Sequence, residues 1–138
     1  MHIFRHTELD SLSNGTCLQG YLEFNFKTLV QLFGEPNGGG SDKSDLSWII
    51  VLQDERSEEE RIHVITIYDW KIGKNYCGDD GMDVEQNTNW NVGSHSKAGY
   101  HLLNRYIKQR LIEIGQRNKL TTTSEIVKLG IQTKVRNN

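Results

Sequence analysis

Leu46 to Gln53, LSWIIVLQ, and Arg61 to Trp70, RIHVITIYDW, are two β-rich apolar runs separated only by the charged stretch DERSEEE. In the first run Leu46, Trp48, Ile50 and Leu52 recur with a period of two, which is the mark of a strand with one buried face. The second run is rich in β-branched and aromatic residues, which favour a pleated, half-buried surface. The two are expected to form an antiparallel hairpin with Asp54 to Glu60 as its solvated loop.

The rest of the chain supplies partners for that hairpin. Thr16 to Phe26, TCLQGYLEFNF, sets Leu18, Leu22, Phe24 and Phe26 on alternate positions and reads as a further strand. Lys27 to Phe33 spaces Leu29, Val30, Leu32 and Phe33 so that a short helix can turn one side inward, with Gly34 as its cap and Pro36 barring continuation. From Ala98, the apolar residues Leu102, Leu103, Tyr106, Ile107, Leu111 and Ile114 recur at helical spacing, predicting a helix over Lys97 to Gly115 of about five turns. Ser94 or Ser96 is suited to cap its start. Asn37 to Asp45, NGGGSDKSD, reads as a flexible loop and lacks the Gly-Lys-Ser/Thr ending of a phosphate loop.

The expected architecture is α+β, an antiparallel sheet of about four strands packed on the long helix, with the small helix at one end. Residues 1–14 show no clean period and end in the turn signal Ser13-Asn14-Gly15, so they read as a loose lead-in. A single domain is expected over 15–118, since 138 residues with 36% hydrophobic content suffice for one core. Residues 119–138 form a basic C-terminal extension that either docks or trails. No window approaches the roughly 18 apolar residues of a membrane helix, and the N-terminus lacks an apolar signal region, so a soluble, intracellular protein is expected. Cys17 and Cys77 are too few and too far apart for a disulfide framework or a zinc motif, and read as free thiols of a reducing compartment.

Charge is unevenly distributed. Residues 1–96 carry 7 Lys/Arg against 16 Asp/Glu, a net of −9, while residues 97–138 carry 9 against 2, a net of +7. Such asymmetry points either to an interaction surface or to a basic end folded back on an acidic body.

Tyr68 to Ser96, YDWKIGKNYCGDDGMDVEQNTNWNVGSHS, concentrates aromatic, amide, glycine and charged residues beyond what a plain core requires. Trp70, Tyr76 and Trp90 are large rigid side chains with a polar handle, the type enriched at recognition sites, although Trp70 and Trp90 also suit the core at strand ends. The candidate ligand-binding set is Asp69, Trp70, Lys71, Lys74, Asn75, Tyr76, Trp90, Asn91 and Arg105. The carboxylates of DDGMDVE do not follow the spacing of a calcium loop, so no metal or cofactor is assigned. Nucleophilic sets drawn from Cys77 or Ser94 with His63, His95 or His101 match no family signature, so no catalytic residue is assigned.

Several segments taken together carry a resemblance. Phe26, Leu29-Val30 and Phe33-Gly34-Glu35-Pro36, the strand ending Thr66 to Lys71 (TIYDWK), Gly73 to Tyr76 (GKNY), and Trp90 to Gly93 (WNVG) before a serine-bearing helix start resemble small uncharacterised proteins of phages and giant DNA viruses. The resemblance covers roughly residues 15–105 and leaves out the charged insert Arg56 to Glu60 and the basic C-terminus. It implies a viral or prophage accessory protein and no particular catalytic residue. The function expected is non-catalytic binding in the host cytoplasm or nucleus. The captured partner is then a host protein or a small anionic, nucleotide-like ligand, as in countering a host defence signal. The alternatives are nucleic-acid binding through the basic C-terminal third, and a small hydrolase or metal-dependent enzyme.

Overall fold

The computed structural model describes His2–Ile3 and residues 13–56 and 61–117. The remainder of the lead-in, the tip of the charged hairpin loop and the extension beyond 117 lie outside the described residues. In chain order the elements are β1 (His2–Ile3), β2 (Cys17–Leu22), α1 (Phe26–Phe33), β3 (Ser47–Gln53), β4 (Ile62–Tyr68), α2 (Lys74–Cys77), β5 (Trp90–Ser94) and α3 (Lys97–Arg117). The sheet is antiparallel, in the order β1-β3-β4-β5-β2, with four main strands and the two-residue β1 on one edge. The fold is therefore α+β with one long helix, as its periodicities require.

The β3–β4 hairpin keeps one unbroken register from Ser47 opposite Tyr68 to Gln53 opposite Ile62. That register places Trp48, Ile50, Leu52, Ile65 and Ile67 on one face, all buried. Helix α1 closes over them because its ends are well made. Asn25 Oδ1 accepts from Thr28 N at 2.8 Å, and Gly34, at a left-handed φ of 80°, returns its N–H to Val30 O. Helix α3 adds Leu103, Ile107 and Ile114 to the same core. Two tryptophans meet edge to face at its centre, Trp48 and Trp90, with ring centroids 5.4 Å apart. Each indole N–H finds a carbonyl beside α1: Gly34 O at 2.8 Å and Phe24 O at 3.1 Å. A buried indole is tolerated on that condition.

Two glycines set how closely α3 approaches the sheet. A Cβ on Gly20 would lie 2.4 Å from the Tyr100 ring, and one on Gly99 would lie 2.2 Å from Ser94 Oγ. Of the two serines expected to suit the start of α3, Ser94 ends β5 and donates its hydroxyl to Val64 O at 2.9 Å, whereas Ser96 directly precedes the helix and its carbonyl accepts from Gly99 N at 3.2 Å.

The strand over Thr16 to Phe26 also departs from expectation. It ends at Leu22, and between Leu18 and Gly20 it bulges: Leu18 pairs with Gly93 while Gly20 pairs with Val92. The extra residue, Gln19, reverses the facing of everything before it. Leu22 stays in the core, whereas Leu18 turns to the other face and is 47% exposed. Among the described residues, no helix is long and apolar enough to cross a membrane.

Candidate functional site

At the end of β4 the chain enters a loop held by carboxylates. Asp69, 3% exposed, accepts from Ser44 Oγ at 3.1 Å, Asp45 N at 2.9 Å and Leu46 N at 3.2 Å. Asp45 in turn accepts from Lys74 N at 3.1 Å and Asn75 N at 2.8 Å, fastening the start of α2. The Asn75 amide donates back to Ser41 O and Ser44 O, each at 3.0 Å. Gly73 is required here because a Cβ would fall 2.3 Å from the Asp45 carboxylate. The segment 37–45, expected to be flexible, is thus tied down from outside itself. Asn37 adds a two-way bond to the backbone of Ile49, and Gly38 bridges to Ser47.

The clamp explains the motif DWKxGKN residue by residue. Asp69, Gly73 and Asn75 build the loop, and Trp70, Lys71 and Tyr76 are displayed by it. Trp70 is 43% exposed and Tyr76 50%. Lys43 Nζ lies 5.7 Å from the Trp70 ring centroid and Lys71 Nζ 5.8 Å from that of Tyr76, both within cation–π range. The two lysines are neighbours through the backbone, since Lys71 N donates to Lys43 O at 2.8 Å. Lys71 also has a φ of 61°, the left-handed region that non-glycine residues avoid. Strain of this kind persists where the surroundings over-determine it, and it concentrates at functional sites.

Replacing Lys71 with Asn, which tolerates the left-handed region, is therefore expected to raise stability by about 0.5–1 kcal/mol while removing the charge. Urea denaturation of the Lys71→Asn variant checks this, and a loss of stability would show that the lysine is held there by contacts worth more than the strain.

The remaining candidates separate from this cluster. Lys74 pairs with Asp83 at 3.2 Å. Trp90 is fully buried in the core and so presents nothing to a ligand. Asn91 lies opposite Tyr68, on the face of the sheet away from α1 and α3. Burial pushes the Tyr68 phenol up from its ordinary pKa, a side-chain hydrogen bond with Asn91 opposes this, and Tyr21 and Cys17 add to it. Arg105 stands elsewhere, in a groove between the hairpin end and α3 lined by Leu52, Leu102 and Tyr106, where it meets Asp54 at 3.5 Å.

Sequence reasoning missed Lys43, Tyr21 and Leu18. Lys43 sits in what reads as a featureless loop, Tyr21 faces away from the core by alternation with Leu22, and Leu18 joins the face only through the β2 bulge. Among the described residues no three His, Cys, Asp or Glu side chains come together as a metal site. The Cys77 thiol donates to Lys71 O at 3.4 Å, and the Ser94 hydroxyl is buried and bonded. What the cluster offers chemically is recognition: flat π-faces for apolar contact and two ammonium groups for an anion.

No family model, curated protein or solved structure matches this chain.

Proposed function

We propose that this chain is a non-catalytic binding protein of viral or prophage type that captures a host protein through the Trp70–Tyr76 loop, in the host cytoplasm or nucleus. One observation carries the reading: a loop fastened by two carboxylates holds Trp70 and Tyr76 outward, each under a lysine, with Lys71 kept in a strained backbone. Tryptophan and tyrosine presented on a rigid support are typical of protein–protein hot spots. Small-molecule sites bury most of their ligand in a concavity. Side chains as exposed as these suit a macromolecular surface better than a nucleotide pocket. Capture of this kind would serve to block a host defence component.

A photo-crosslinking amino acid placed at position 70 in cells is expected to trap a discrete host protein. The same group at Ile112, exposed on α3, should not trap it. Failure to trap any protein, together with release of a nucleotide from the purified, heat-denatured chain, would replace this reading with small-ligand binding.

A further inference from the structure

The face of the sheet opposite α1 and α3 continues the displayed loop. Tyr21 pairs with Asn91 and Asn91 with Tyr68, so the three stand side by side across β2, β5 and β4. Strands are about 4.8 Å apart, which puts Tyr21 roughly 10 Å from Tyr68. Trp70 extends the row, its ring meeting Tyr68 edge to face at 5.9 Å. Tyr21 is 52% exposed, and Leu18 lies beside it on the same face. Gly93 keeps the middle of the row low, since a Cβ there would lie 2.5 Å from Thr66 Oγ1 and 3.6 Å from the Tyr68 ring. The result is an aromatic row of roughly 15 Å, the length of four or five extended residues.

Charge marks one end of this row. Among the described residues Lys74, Arg105 and Arg110 each hold a carboxylate. Lys43 and Lys71 instead rest on aromatic rings, as Lys97 does on Tyr100, although residues 1–96 carry a net charge of −9. Two lysines joined through the backbone, their ammonium groups on the Trp70 and Tyr76 rings and neither within an ion pair among the described residues, complement carboxylates on a partner. The acidic body around them disfavours a long polyanion such as a nucleic-acid strand. Addition of a strand at the β2 edge is also disfavoured, because Gln19 O and Tyr21 O already accept from Lys97 Nζ and the Tyr100 hydroxyl.

Resting on the capture reading above, we infer that the captured partner presents an extended acidic segment, carboxylates interspersed with aromatic or aliphatic side chains, which lies across the strands along Trp70, Tyr68, Asn91 and Tyr21 with its carboxylates at Lys43 and Lys71. The test is selection of a random 12-residue peptide library on the immobilised full chain, followed by calorimetric titration of the enriched peptides. Enrichment of Asp/Glu next to Trp, Tyr, Phe or Leu is expected. Tyr21→Ala and Lys43→Ala, each checked for an unchanged fold by circular dichroism, should weaken the selected peptide by about tenfold, while Ile112→Ala should not.

Three results would overturn the inference: peptides without acidic enrichment, affinity indifferent to Tyr21→Ala, or tighter binding of a dT12 oligonucleotide than of any selected peptide. If the peptides fail while crosslinking from position 70 still traps a host protein, the segment is wrong and protein capture stands. If crosslinking fails as well, both fall.

Discussion

Trp90→Ala is expected to destabilise the fold by about 3–5 kcal/mol, the range for truncating a large buried aromatic. Its ring is fully buried, crosses Trp48 edge to face and lies 6.5 Å from the Phe26 ring. Truncation would open a cavity at the centre of the core and strip Phe24 O of its indole donor. Trp90 also anchors the register of β5, where it pairs with Leu22. A Trp90→Phe variant keeps most of the volume and should lose much less. Equilibrium urea unfolding distinguishes the two. A Trp90→Ala chain within about 1 kcal/mol of the parent would mean that the core can collapse around the missing ring.

Asp69→Ala is expected to cost about 3 kcal/mol and to loosen the Trp70–Tyr76 loop more than the sheet. Three donors converge on that carboxylate, from Ser44 Oγ, Asp45 N and Leu46 N. Each buried donor left without a partner costs about 1–3 kcal/mol, and the two backbone N–H groups, which are only part-buried, belong at the lower end. The local effect is the more informative one. Once Asp45 is no longer positioned by Asp69, it loses its hold on Lys74 N and Asn75 N, and Trp70 and Tyr76 lose their common support. Amide exchange should therefore accelerate at 44–46 and 74–77 well before it does in β3 and β4. Equal acceleration across the whole sheet would assign Asp69 to the core instead of the loop.

These two residues show how far the local pattern could be read. Asp69 and Trp90 both belong to the candidate site drawn from the sequence, and both are buried, one bonded inside the loop and the other in the core. An aspartate before a tryptophan gives no sign of which donors will surround it, because Ser44 to Leu46 lie more than twenty residues away in the chain. Trp90 reads equally as a ligand platform and as a core residue, and the register opposite Leu22 decides it. Trp70, Lys71 and Tyr76 did come together on one exposed loop. Asn91 stands apart from them, opposite Tyr68 on the sheet, and Arg105 lies in a different groove.

The β3–β4 hairpin, the capped helix α1 and the long helix α3 were determined by the sequence itself. Their signals are local: a period of two, a period of 3.6, an Asn and a Gly at helix ends. The aromatic face opposite α1 and α3 was decided only by tertiary structure. A single bulge at Gln19 turned Leu18 outward, strand pairing aligned Tyr21 with Asn91 and Tyr68, and a backbone bond set Lys43 beside Lys71. Each of these depends on contacts between residues distant in the chain. Local periodicity cannot encode such contacts, because it records which way a side chain points and not what it will meet.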